Sequence, residues 1–184
     1  HGVPFRYPSS PDIGDGLTDH GLRLLERCNE LGIMFDLSHL NEAGFWDVAE
    51  LSEKPLVATH SNVHAICPHA RNLTDDQLGA IRESDGMVGL NFAVEFLRPD
   101  GRDESDVSFD LLLRHLDHLI NHLGEDRVGF GSDYDGALVP SRIKRSDGLP
   151  TLCAALHEHG YDDALVAKLC VGNWMRVLEA PWGA

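Results

Sequence analysis

Two histidines, His39 and His60, each close a short apolar segment, and their type and spacing make them the first candidates for chemistry in this chain. Ile33-Met34-Phe35-Asp36-Leu37-Ser38-His39 follows a helix-stopping Gly32, and Leu56-Val57-Ala58-Thr59-His60 follows Pro55, so both segments are expected to be short buried strands. Between them, residues 41–52 have helical spacing, with Phe45, Val48, Ala49 and Leu51 apolar. Strand, helix, strand with so little connecting chain makes a right-handed parallel crossover, which sets both histidines at carboxyl ends of strands. On neighbouring strands, about 4.8 Å apart, two imidazoles so placed can share one metal ion through Zn–N bonds of about 2.0–2.1 Å. Each histidine alone also suits the plainer task of capping a strand end through hydrogen bonds, and the residues themselves leave both alternatives open.

The elements that must hold these residues follow in order. Residues 1–17, rich in Pro and Gly, are expected to be loop, and Thr18 is placed to cap a helix carrying Leu22, Leu25, Cys28 and Leu31 up to Gly32. After His60 comes an irregular stretch with His64, Pro68, His69 and Arg71, and then Thr74-Asp75-Asp76-Gln77, a capping box opening another helix. Residues 87–92 are expected as a third strand, followed by a polar loop to Ser108 and a long helix over 109–123. Residues 127–133 make the fourth strand, Asp135-Gly136 a turn, and helices near 150–159 and 162–178 end the chain.

Four strands alternating with helices indicate a parallel α/β protein. A doubly wound sheet and part of a barrel both fit. No Gly-rich phosphate loop follows any strand, so a nucleotide-binding sheet has no support. In a barrel, His39, His60, Arg71 and Asp133 all fall at the carboxyl-end face where barrel enzymes work. A (β/α)₈ barrel takes about 250 residues, so four strands amount to half of one.

The chain has 184 residues, 42% of them hydrophobic and 24% charged, in keeping with one globular domain. Fifteen Lys and Arg against thirty Asp and Glu give a net charge of -15, which disfavours nucleic acid or an anionic membrane as partner. No apolar run approaches the roughly 20 residues of a membrane span and no signal pattern opens the chain, so a cytoplasmic location is favoured. Cys28, Cys67, Cys153 and Cys170 lack a CxxC pair and are expected as reduced thiols. The chain starts at His1 within an expected loop, which suggests a processed or incomplete polypeptide.

Asp36-Leu37-Ser38-His39, Ala58-Thr59-His60-Ser61-Asn62, Arg71-Asn72-Leu73-Thr74-Asp75-Asp76 and Gly129-Phe130-Gly131-Ser132-Asp133-Tyr134-Asp135-Gly136 together resemble the membrane dipeptidase (renal dipeptidase) family. The resemblance covers nearly the whole chain, and order and spacing match as well as letters, including 21 residues from His39 to His60 and 11 from His60 to Arg71. It implies a metal-dependent hydrolase of the (β/α)₈ TIM-barrel type, holding two zinc ions bridged by a glutamate and a water or hydroxide. It also implies cleavage of dipeptides by metal-bound hydroxide, and in some members opening of β-lactams. By position, His39 and His60 look like the two histidines on one zinc, Arg71 like the residue holding the substrate's C-terminal carboxylate, and Asp133 like the acidic residue that meets substrate and assists proton transfer.

The family's His-x-Asp pair, its bridging glutamate and a further substrate histidine match nothing in these residues. The whole of 1–184 is therefore expected to be one partial domain, the last four strand–helix units of the barrel, from a parent expected to be a homo-oligomer. The alternative is a non-catalytic binding or assembly module derived from the same barrel. Other candidates carry less: His115, His118 and His122 lie on one face of the long helix and could pass for a metal site, but they fall beside the arc of Leu112, Leu116, Leu119 and Leu123 and are expected as solvated rim residues. His64 and His69 receive no role, Asp36 is expected to fix loop backbone rather than orient His39, and Asp135 is expected to belong to a turn.

Overall fold

Four segments run side by side and parallel in a computed structural model of the protein, which describes residues 5–8 and 14–182. Strands β1 (Val57–Ala58), β2 (Met87–Asn91) and β3 (Val128–Gly131) form one sheet in that order, with Val57 opposite Met87 and Val88 opposite Val128. Strand order follows chain order, without the reversal that marks a doubly wound sheet. The segment expected as a strand over 33–39 joins through a single parallel bridge, Asp36 to Val57, and the Leu37 N–H donates to the Val57 carbonyl at 2.8 Å. Its brevity has a local cause: Asp36 Oδ1 accepts from the Ser38 N–H, an Asx turn that bends the chain away just past the bridge. The strand expected over 56–60 shortens to two residues for a related reason, since the N–H groups of Thr59 and His60 go to the side chains of Asp36 and Ser38.

Side-chain caps at Thr18, Asn41, Thr74, Ser108 and Asp162 each start a helix. Thr18 caps α1 (Asp19–Leu31), and Gly32, at φ 66, closes it in the left-handed region that suits glycine. Leu25 and Cys28 are its buried stripe, whereas Leu22 and Leu31 stay exposed. Asn41 caps α2 (Glu42–Leu51), and both halves of the capping box form at α3 (Asp75–Glu83), Thr74 with the Gln77 N–H and Gln77 with the Thr74 N–H. A short α4 (Val94–Leu97) occupies part of the stretch expected as polar loop, because Val94, Phe96 and Leu97 bury themselves. In α5 (Phe109–Leu123), Leu112, Leu116, Leu119 and Leu123 are all buried, each contributing about 1.5–3 kcal/mol.

The chain closes with α6 (Leu149–His159), α7 (Asp163–Ala167) and α8 (Asn173–Trp182). The single helix expected over 162–178 is divided by a π-helical turn at Lys168–Gly172. That turn aims Asn173, Trp174 and Arg176 at the sheet: Asn173 donates to the Val128 carbonyl at 2.7 Å, Trp174 to Phe130 at 3.1 Å and Arg176 to Gly86 at 2.9 Å. Asn173 and Arg176 thereby fasten the amino ends of β3 and β2, opposite the ends that carry His60 and Asn91. Among the described residues no helix is long and apolar enough to cross a membrane. The cysteines are free thiols, although folding brings the Sγ atoms of Cys153 and Cys170 to 3.9 Å.

His115 is not the solvated rim residue expected from its place on the helix. It is fully buried, its Nδ1 accepting from the Val63 N–H at 3.2 Å and its Nε2 facing the Leu97 carbonyl at 3.0 Å. The helical arc failed here because α4 and the chain after β1 cover that side of α5. Nδ1 must accept, so the ring is neutral with the proton on Nε2, and burial drives its pKa from 6.5 down to about 4. The unfolded chain takes up this proton as pH falls through 6.5, while the folded chain resists until about pH 4, so stability falls as pH falls across that window. We expect a loss of about 3 kcal/mol between pH 7 and 4 from this group. Urea midpoints measured across that range, with His115→Asn as comparison, should show the variant's pH dependence flattened; identical slopes would assign the effect elsewhere.

Candidate functional site

The two strand-end histidines meet. His39 Nε2 and His60 Nε2 lie 3.0 Å apart, with ring centroids at 4.9 Å. Their approach is built by the residues just before them. Asp36 Oδ1 takes the N–H groups of Ser38 and Thr59, and Ser38 Oγ takes the N–H of His60, so each strand end is tied to the other by a side chain. Asp36 thus does fix backbone, as its position suggested, and it does more. Asp36 Oδ2 lies 2.6 Å from Thr59 Oγ1, which lies 2.8 Å from His60 Nδ1. A carboxylate only accepts, so the single hydroxyl proton goes to Asp36, and His60 must donate from Nδ1 to Thr59. That tautomer leaves the Nε2 lone pair of His60 facing His39, the orientation a metal ligand requires.

His39 and Asp133 share a signal. They stand at φ 70 and φ 56, where side chains other than glycine are seldom found, and both sit just past a strand segment. Asp133 Oδ2 accepts from Asn91 Nδ2 at 3.1 Å, and a β-carbon at residue 136 would strike Asp133 Oδ1, so the turn glycine leaves room for the carboxylate. Gly131 has a similar task, since a β-carbon there would overlap the Thr59 carbonyl beneath His60.

Asn91 is a residue that motif reading missed. It is fully buried at the carboxyl end of β2, and besides holding Asp133 it reaches the His60 carbonyl at 3.4 Å. Asn62 pairs with its backbone, accepting its N–H and donating to its carbonyl, each at 3.0 Å, and so stands in for a missing strand neighbour. The available signal was a polar residue closing an otherwise apolar strand.

Arg71 comes into the same site from the loop before α3. It is 9% exposed, with Nη2 3.4 Å from the His60 carbonyl and the guanidinium 5.2 Å from the Phe96 ring centre. Its Nε is buried with no hydrogen-bond partner among the described residues. His69, given no role from sequence, shapes this loop: its Nδ1 accepts from the Arg71 N–H, and its ring packs on Phe96. A cavity of about 350 Å³ beside the site is lined in part by His39, Ser61, His64, Arg71 and Thr74, so His64 also borders the space where a ligand would sit.

Burial lowers the pKa of both His39 and His60, and the positive charge of Arg71 adds to the effect, while Asp133 and Asp36 oppose it. Neutral imidazoles with facing Nε2 atoms suit a borderline metal such as zinc. Two nitrogens on one tetrahedral ion stand about 3.3 Å apart, close to the spacing found. Donor type and spacing therefore fit a metal. The number of donors is two where a catalytic zinc usually has three protein ligands, and among the described residues no third His, Cys or carboxylate completes a group with them. Among the described residues the one such group of three is Asp75, His118 and His122, on α3 and α5.

Comparison with known proteins gives the same family from independent directions. The family model for membrane dipeptidases, peptidase family M19, matches residues 6–181. An uncharacterized protein in the pqqA 5′ region of Klebsiella pneumoniae is 50% identical over 181 residues, which cover 98% of this chain and 67% of that protein. A solved metallopeptidase of family M19, dipeptidase AC, superposes with a TM-score of 0.93 at 62% identity, over 100% of this chain and 54% of its own. A metallopeptidase of Rhodobacter sphaeroides, solved with a phosphinate mimic of the dipeptide L-Ala-D-Ala, gives 0.92 at 62% identity, over 99% and 52%. The chain thus spans about half the length of the solved structures it matches.

Proposed function

We propose, on the premise that this chain belongs to the membrane dipeptidase family, peptidase family M19, that it carries part of the active site of a zinc-dependent dipeptidase. The observation that carries this reading is the 3.0 Å approach of His39 and His60 beside a buried arginine with an unpartnered Nε. His39 and His60 would hold one metal ion. When bound, the metal supplies Lewis acidity toward the peptide carbonyl and lowers the pKa of coordinated water.

The remaining work falls to the chain's own side chains. Arg71 is always charged, largely removed from water and short of an acceptor, so it would bind the free C-terminal carboxylate of a dipeptide and fix where the scissile bond lies. Phe96 and the His60 carbonyl hold the guanidinium plane for that contact. Asp133, steadied by Asn91 and given room by Gly136, would accept a proton from the attacking water and return it to the departing amine. Thr59 and Asp36 hold His60 in the one tautomer that can act as a ligand through Nε2.

We further propose that the sheet is the C-terminal half of a (β/α)₈ barrel, residues 1–184 being one partial domain, and that the missing metal ligands come from a preceding half. Its strand order, parallel throughout and in chain sequence, supports this, as does coverage of about half of each solved relative. A binding or assembly module without catalysis is the other reading, favoured by the two-ligand count.

Arg71→Ala distinguishes substrate recognition from a structural role. In the complete enzyme it should raise KM for free dipeptides on the order of 10- to 100-fold, the value of a charge-assisted pair, and change it little for C-terminally amidated dipeptides. Equal losses for both substrates would make Arg71 structural.

A further inference from the structure

The group formed by Asp75, His118 and His122 belongs to none of the machinery above. His118 and His122 are one turn apart on α5 with rings stacked at 4.3 Å and 13°, and Asp75 reaches them from the first turn of α3. Asp75 Oδ1 is 2.7 Å from His118 Nε2 and 3.9 Å from His122 Nε2, and the three ligand atoms all lie within 4.8 Å of one another. We propose that this is a second, separate binding site for a divalent transition metal, a two-histidine, one-carboxylate site that clamps α3 to α5.

Ligand type, spacing and freedom to adjust all support it. Imidazole nitrogens with a carboxylate oxygen select zinc, copper, nickel or cobalt over magnesium or calcium, which prefer all-oxygen sites. Ligand atoms on a tetrahedral zinc ion stand about 3.3 Å apart, so the 2.7 Å pair must open and the 3.9 Å pair must close, each by modest rotation of partly exposed side chains. One face of the group is open to solvent, leaving water to fill the fourth position. Stacked imidazoles held in register by helix geometry make a preformed pair of donors. Asp75 directly follows Thr74, which borders the cavity beside Arg71. An ion on Asp75 therefore ties down the helix start that anchors the substrate-binding loop.

The test uses Zn²⁺ alone, added to the complete enzyme with its histidine ring nitrogens labelled, and read by nitrogen NMR. The expected result is that Nε2 of His118 and of His122 shift together along a single saturating titration curve. The response at His122 should vanish in His118→Ala and in Asp75→Asn, and persist in a His39→Ala, His60→Ala double variant. Unmoved signals from His118 and His122 at saturating Zn²⁺ overturn the proposal. So does a response at His122 that survives loss of His118 or disappears with loss of His39 and His60, which would mean that the ion sits at the strand ends. The ligands are surface groups outside the packed core, and retention of the helical circular dichroism signal in each variant separates loss of a ligand from loss of fold.

Discussion

His60→Ala in the complete enzyme should empty one metal position and lower kcat by at least about 10³-fold, the equivalent of the several kcal/mol that Lewis-acid stabilisation contributes. The size of the effect follows from geometry. His60 is held by three neighbours at once: Thr59 on its Nδ1, Ser38 on its N–H, and His39 across 3.0 Å. No other described side chain is positioned to replace its Nε2, and the vacated space would admit water without supplying a soft donor. Bound zinc and initial rates measured on the same preparation check the expectation. Full zinc content with a normal rate in His60→Ala would remove His60 from the metal site.

How much of this was legible in the sequence depended on whether a signal was local. Thr18 and Thr74 announce helix starts because a cap is chemistry between residues two or three apart, and these starts are where the chain reads them. The arc of four leucines on α5 was visible for the same reason. His39 and His60 were legible as strand-end residues, yet the strands themselves are shorter than their apolar runs, because Asp36 and Ser38 capture backbone N–H groups that a ladder would have used. The two captures that join the strand ends span 23 and 22 residues and leave no periodic trace. His115 misled for a similar reason: its burial is decided by α4 and by residue 63, both remote in sequence. Asn91 left a faint signal as the polar end of an apolar strand, but its pairing with Asn62 across 29 residues left none. The same holds for the Asp75, His118 and His122 group, whose carboxylate comes from another helix.

The second large effect concerns the chain as a piece of sheet. Its outer segments, the Asp36 bridge segment and β3, present backbone groups that a closed barrel would pair, and edges of this kind invite association. The 184 residues made alone are expected to self-associate and to hydrolyse no dipeptide with zinc added. Supplying the preceding half of the barrel as a separate polypeptide should restore monodisperse size, metal binding and activity together, since edge partners and missing ligands arrive on the same chain. Size-exclusion profiles and a dipeptide assay on each half and on the mixture decide it. A stable, active monomer from residues 1–184 alone would refute the half-barrel reading and require a third ligand within them. α8 already covers one patch of the sheet with Trp174, Val177 and Leu178, so any residual solubility of the isolated chain should be lost in Trp174→Asp.

The most direct test of the central claim is an anomalous-scattering map at the zinc absorption edge from crystals of the complete enzyme. A peak is expected within bonding distance, about 2.0–2.1 Å, of both His39 Nε2 and His60 Nε2. A fully loaded, active enzyme whose map leaves those two nitrogens without a metal would contradict it.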